Sequence, residues 1–264
     1  MRACAALSTE QEGFGLSWNA RVEGLLVSAS LDRTICEWDV NQHSGTPGAV
    51  LDALCTHVGH NDVVEDVQWH PMHEQLFGSV GDDGRLCLWD TRHRGRSGAP
   101  YSCCAHQSEV NVLSFSPFNE NLVATGSSDG TVGLFDLRNL NDKVHALTGH
   151  AGEVFNVEWS PHHEAVLASS SERRIYLWDL ARAGAEQTAL EAEDGPAELL
   201  FVHGGLTDTV SHVASRAATA VCLARGALVC APPARPRAAP SSTLLNACMR
   251  HAATTLTTTT LRSR

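Results

Sequence analysis

Histidine, serine and aspartate recur together along this chain of 264 residues. His60 is followed by Asp83 and His106 by Asp129, with Ser- and Thr-containing stretches between them. Such a trio could form a hydrolase site, with Ser as nucleophile, His as base and Asp as its orienter. Two histidine pairs, His70/His73 and His162/His163, raise a second chemistry, metal ligation. No carboxylate or Cys completes either pair at ligand spacing. The hydrolase reading fails on repetition, because a catalytic site is built once. The sequence therefore predicts no catalytic residue, no metal, no cofactor, and a chain that is not an enzyme.

What repeats is better seen in the aromatic residues. Trp18/Trp38, Trp69/Trp89, Phe115/Phe135 and Trp159/Trp178 form four pairs spaced 20, 20, 20 and 19 apart. Asp follows the second member of every pair, at Asp39, Asp90, Asp136 and Asp179. A period of about 45 residues closing on Trp-Asp or Phe-Asp marks WD repeats of a β-propeller. Each repeat has a Gly-His or its relic, a strand of alternating apolar residues, a Pro-containing turn, a strand rich in small residues, and an Asp/Gly turn. These features predict short antiparallel strands. The small residues fit blades that taper toward a central channel, and the aromatics fit the faces between neighbouring blades.

In this frame the polar residues acquire a structural role. WD repeats link His, a strand Ser or Thr, the turn Asp and Trp in a buried hydrogen-bond chain. The candidates are His60, Asp83 and Trp89; His106 and Asp129; and His150 and Trp178. The repeats are imperfect: Phe135 cannot donate an indole bond, Glu172 replaces the turn Asp, and Thr9 stands where the first His belongs.

The net charge of −11 is unevenly spread. Residues 209–264 contain seven Arg and no acid, so residues 1–208 hold 30 Asp/Glu against 12 Lys/Arg, a net of −18. An acidic body predicts a basic partner and argues against direct binding to nucleic acid. Nine scattered cysteines without CxxC pairing suit reduced thiols in a cytosolic or nuclear protein. No apolar run is long enough to span a membrane, and the first residues are too short for a signal peptide.

The strings GHNDVVEDVQWHPMHEQLFGSV, EVNVLSFSPFNENLVATGS, VFNVEWSPHHEAVLASSS and EDGPAELLFVHGG add specificity. Over about residues 10–212 the chain resembles the retinoblastoma-binding, or MSI and chromatin-assembly-factor small-subunit, family of WD-repeat histone-binding proteins. The resemblance implies a seven-bladed propeller, nuclear localisation, and histones H3 and H4 as partners. It also implies a scaffold role in acetyltransferase, deacetylase, Polycomb and chromatin-assembly complexes. By motif, a top face for the H3 tail would use Glu12, Phe14, Glu65, Glu109, Asn111, Glu153 and Phe155. A side surface for the first helix of H4 would use Glu193 and Asp194 in the acidic insertion 181–198, with Phe201 and Val202 behind it.

The expectation is thus an all-β, partial propeller of about four complete blades over residues 10–212, with repeats ending near 39, 90, 136 and 179. Residues 1–9 are expected to lie outside the family, and residues 213–264 to form a disordered Ala/Thr/Arg tail, as in a truncated or frame-shifted product. The competing function is a general WD-repeat adaptor outside chromatin, such as a ubiquitin-ligase substrate receptor.

Overall fold

Alternating apolar residues give each repeat strands with one face for each neighbouring layer, and the strands form as the pattern requires. A computed structural model describes residues 6–7, 15–42, 50–93, 98–99, 101–204, 210, 213–216, 219–224 and 227–230. The chain divides into two units, residues 1–157 and 158–264.

In the first unit β1 (Ala6–Leu7) pairs in parallel with β5 (Val50–Leu51), and β2 (Leu16–Trp18), β3 (Leu25–Ala29), β4 (Thr34–Asp39) and β6 (Cys55–Val58) form an antiparallel sheet. The second sheet holds β7 (Val64–Trp69), β8 (Leu76–Gly81), β9 (Arg85–Asp90) and β10 (Tyr101–Cys104). The third holds β11 (Val110–Phe115), β12 (Leu122–Ser127), β13 (Val132–Asp136) and β14 (Asn139–Leu147). The division between the units falls within β15 (Val154–Trp159). In the second unit β16 (Val166–Ser171), β17 (Arg174–Asp179) and β18 (Leu199–His203) continue the antiparallel pattern, with the short helix α1 (Ala189–Glu193) before β18. This is the all-β WD-repeat propeller fold in partial form, four strands to a repeat.

The sequence pattern predicts no strand after Val213, yet β19 (Val213–Arg216), β20 (Thr219–Ala224) and β21 (Ala227–Cys230) pair antiparallel. The runs TAVCLA and ALVC are apolar and include β-branched residues, which suits strands although no repeat motif is present. Residues 231–264 lie outside the described residues.

Neighbouring sheets of the first unit meet through apolar faces. Val27, Ala29 and Ile35 of the first sheet pack with Val64, Val67, Trp69, Phe77 and Trp89 of the second. Val80, Leu86 and Leu88 of the second pack with Val110, Leu113, Phe115 and Phe135 of the third. These contacts explain the small residues of the middle strands better than a taper does. A Cβ on Gly78 would lie 2.9 Å from both Leu113 Cδ1 and Phe115 Cζ, so the next repeat's aromatic occupies the space of the missing side chain.

The hairpin after each middle strand also has a physical rule. Asp32, Asp83 and Asp129 accept the backbone N–H two residues on, from Thr34 (2.9 Å), Arg85 (3.1 Å) and Thr131 (2.9 Å). The residue between is left-handed: Gly84 at φ +71°, Gly130 at φ +77°, and Arg33 at φ +71°. Arg33 pays the Cβ penalty that glycine avoids. Arg33→Gly is therefore expected to stabilise the first unit by roughly 0.5–1 kcal/mol, read as a higher urea midpoint.

In the fourth repeat the aromatic spacing is one residue shorter. Ser171 pairs directly with Arg174, leaving a two-residue turn with Glu172 at φ +50°. Glu172 is thus not a substitute for the turn Asp of the other repeats. The turn itself is different, and its tightness accounts for the spacing of 19.

Candidate functional site

The residues that suggested catalysis are consumed by the fold. In the second repeat Trp89 Nε1 donates to Ser79 Oγ (2.8 Å), which lies 2.7 Å from His60 Nε2. His60 Nδ1 is 3.0 Å from Asp83 Oδ1, and Asp83 also accepts from Asn61 N (2.9 Å) and Arg85 N (3.1 Å). One proton arrangement satisfies every member: His60 donates from Nδ1 and accepts at Nε2. Burial works to raise the Asp83 carboxyl, but hydrogen bonds from His60 and the backbone outweigh it and hold the group below its ordinary value. The third repeat keeps the chain without an indole: His106 meets Asp129 at 3.1 Å and Thr125 Oγ1 at 2.9 Å. In the fourth, Trp178 Nε1 donates to Ser169 Oγ at 2.8 Å. His150 sits at the end of the first unit, its imidazole pushed down to about 4 by burial.

The remaining recurring groups cap turns. The Asp after each second aromatic accepts the N–H two residues on: Asp39 from Asn41, Asp90 from Arg92, Asp136 from Arg138 and Asp179 from Ala181, at 2.9–3.1 Å. His70 does for its turn what Asn19, Ser116 and Ser160 do for theirs. Its Nδ1 accepts from Met72 N and His73 N, both at 3.1 Å, while Nε2 faces Glu120 O at 2.9 Å. Ser116 Oγ accepts from Phe118 N (3.3 Å) and Asn119 N (3.2 Å) in the same way. Both His70 nitrogens are therefore engaged, and no group of His, Cys, Asp and Glu suited to a metal ion occurs among the described residues.

The polar groups left over gather at the start of the inner strands. Val64, Val110 and Val154 are fully buried equivalents, which places Glu65, Asn111 and Phe155 at one repeat position, and Glu109 and Glu153 one step earlier. Glu65 therefore does not match Glu109, although both stand ahead of an aromatic. The register slips between Val64 and Asp66 in the second sheet and between Val110 and Val112 in the third. Glu65 and Asn111 are thus the extra residues of β-bulges, which turn their side chains out of the pleat. Asn111 donates to Val154 O at 3.0 Å, and Ser128 Oγ lies 3.3 Å from Asn111 Oδ1 and 3.4 Å from Glu109 Oε2. Phe155 is 41% exposed.

The charges acting on this region are of one sign. Burial raises the Glu65 carboxyl, and Asp82 and Glu109 raise it further. Burial likewise raises Asp82, followed by Glu109, Asp62 and Asp83. Like charges at close range disfavour the ionised form of each. Asp62 and Asp82 belong to this cluster, although neither lies at a position the motifs point to; Asp62 stands just before VVED and Asp82 is the first acid of GDDG. Glu12 and Phe14 lie outside the described residues.

Beneath the cluster, side chains of one inner strand bond the backbone of the next. Ser17 Oγ accepts from Trp69 N (3.0 Å), Asp66 Oδ2 from Leu113 N (3.1 Å) and Gln68 Oε1 from Phe115 N (2.7 Å). Inner strands have no ladder partner on that side, so these side chains satisfy the open edge.

In the second unit the acidic insertion carries α1. Thr188 caps it and Glu191 returns the bond to Thr188 N at 2.9 Å, a capping box. Glu193 ends the helix and Asp194 caps it. Phe201 and Val202 follow on β18, but as successive strand residues they point to opposite faces. They cannot both form one apolar floor behind the loop, which corrects the expected arrangement.

The four-stranded repeats, with a full Trp–Ser–His–Asp chain in the second, are those of a WD-type β-propeller, a fold that suggests a protein-interaction scaffold. The family model described as Nucleolar protein 10-like, N-terminal domain, a β-propeller, matches residues 40–220. The match covers most of the chain, which belongs to the nucleolar protein 10-like N-terminal β-propeller family.

Proposed function

We propose that this chain is a non-catalytic histone-binding scaffold of nuclear chromatin assembly and modifying complexes, taking a basic H3-type tail on the inner-strand end that carries Glu65, Asp82 and Glu109. The crowding of those carboxylates carries the reading: burial and like charge, with Glu109 among the neighbours, hold Glu65 and Asp82 above their ordinary ionisation range. An arriving Lys or Arg would relieve the repulsion and form charge-assisted hydrogen bonds. Exposed Phe155 offers a face for a guanidinium or a methylene stem. The resemblance of the strings quoted above to the retinoblastoma-binding family suggests the same partner. Glu193 and Asp194 would serve the first helix of H4, with Val202, the exposed residue of the β18 pair, as its apolar contact.

Calorimetric titration of the full chain with an H3 N-terminal peptide tests this. Affinity should fall with added salt, and Glu65→Lys and Glu109→Lys should each weaken binding by about tenfold, roughly 1.4 kcal/mol. Acidification should weaken it at a pH where isolated carboxylates are still ionised. Unchanged affinity in both variants would remove the assignment. The description of the matched family favours a second reading, an adaptor working outside chromatin; a folded chain that ignores the peptide at every salt concentration would favour it.

A further inference from the structure

The side-chain tie between neighbouring inner strands changes place from one repeat to the next. From β7 to β11 it is made by Asp66, whose Oδ2 accepts from Leu113 N at 3.1 Å. The same position in the third repeat is Val112, which is buried and has no polar side-chain atom. From β11 to β15 a tie stands one residue earlier: Asn111 Nδ2 donates to Val154 O at 3.0 Å.

The move changes what the bulge residue does. Glu65 and Asn111 hold the same repeat position, but Asp66 relieves Glu65 of the tie, whereas Asn111 has both polar atoms engaged. Its Oδ1 lies 3.3 Å from Ser128 Oγ, which also reaches Glu109 Oε2 at 3.4 Å. One amide orientation suits both partners, with Nδ2 toward the carbonyl and Oδ1 toward the hydroxyl. A polar chain thus runs from the cluster carboxylate of Glu109 through Ser128 and Asn111 to the carbonyl just before Phe155. Val154 is fully buried, and its Cγ1 lies 2.7 Å from where a Cβ on Gly126 would stand. The start of β15 is therefore seated tightly against β12, immediately ahead of the 41% exposed Phe155.

We propose that Asn111 is a positioning residue of the tail site: it fixes where β15 begins and so holds the Phe155 ring at the edge of the carboxylate cluster. The resemblance by motif places Asn111 among the groups that meet the tail; its engaged amide argues for support instead. The inference rests on the histone-tail reading above.

Asn111→Asp keeps the shape, deletes the Nδ2 donor and adds a carboxylate to the cluster. Charge alone would tighten a basic peptide. Titration of the full chain with the H3 N-terminal peptide should instead show binding weakened by about fivefold, the size of an exposed cation–aromatic contact. In a Phe155→Ala chain the same substitution should cost nothing, because the ring it positions is gone; a direct contact with the tail would be lost in both backgrounds. Without peptide, amide exchange across residues 153–157 should quicken by about tenfold in Asn111→Asp and stay unchanged in Glu65→Lys. Should Asn111→Asp melt early, Ser128→Ala, which frees Asn111 Oδ1, must weaken binding by about twofold, and only while Phe155 is present. An unmodified chain that ignores the peptide sinks the histone reading and this proposal together. Tighter binding by Asn111→Asp, a loss that persists without Phe155, or unaltered exchange overturns this proposal alone.

Discussion

Ser79→Ala should destabilise the first unit by about 2–5 kcal/mol, although it removes one oxygen. Ser79 is fully buried, and its hydroxyl serves two partners at once, Trp89 Nε1 at 2.8 Å and His60 Nε2 at 2.7 Å. Deleting it leaves an indole N–H and an imidazole nitrogen in the interior with no acceptor and no donor, at about 1–3 kcal/mol for each. Loosening His60 also weakens its hold on Asp83, which fixes the following turn through Asn61 N and Arg85 N. Thr125→Val is the internal control. Thr125 Oγ1 meets His106 at 2.9 Å and Gly133 O only at 3.5 Å, and Phe135 has no donor to lose. Its cost should stay near 1–2 kcal/mol. Urea unfolding of both variants gives the comparison. Equal losses would show that the indole bond adds nothing and that the chain of bonds does not act as a unit.

That contrast is also where the sequence was most informative. The His, Asp and Trp of the network were legible because they recur at fixed spacing. Ser79 and Thr125 were not separable from the other small residues of the middle strand until register placed them. The strands themselves followed from alternation, and the packing of one sheet on the next followed from the aromatic pairs. Bulges did not, because an extra residue shifts direction without changing composition; so Glu65 looked equivalent to Glu109 and was in fact equivalent to Asn111 and Phe155. A one-residue deletion in the fourth repeat read as a substitution at Glu172 and proved to be a different turn. His70 read as a ligand candidate because imidazole binds metals more often than it caps turns. Only its two backbone donors, Met72 and His73, reveal the second use. Asp66 was hidden between two better-known neighbours in VVEDVQW, since accepting a backbone N–H from the next sheet has no sequence signature.

Asp66 and His150 should pull stability in opposite directions as pH changes, and single variants should unmask each. Asp66 accepts Val67 N at 2.8 Å and Leu113 N at 3.1 Å. Burial, the largest influence, pushes its carboxyl up to about 7; the two backbone donors hold it down and Glu65 adds to the rise. The folded value exceeds the unfolded one of about 3.9, so its contribution is complete below about pH 4 and is lost as pH rises through about 7. The loss is at most about 4 kcal/mol, since one pKa step is worth about 1.4 kcal/mol and the residue is only half-buried. His150 runs the other way. Burial lowers it to about 4, so the unfolded chain binds the extra proton between about pH 4 and 6.5, and stability rises with pH by up to about 3 kcal/mol. The two nearly cancel below pH 6.5, and the unmodified protein should show a shallow profile there. Asp66→Asn keeps an acceptor but cannot titrate, so urea midpoints should then rise from pH 5 to pH 7. His150→Gln should reverse the slope. A profile left unchanged by Asp66→Asn would mean that the two backbone donors outweigh burial and that Asp66 stays ionised across the range.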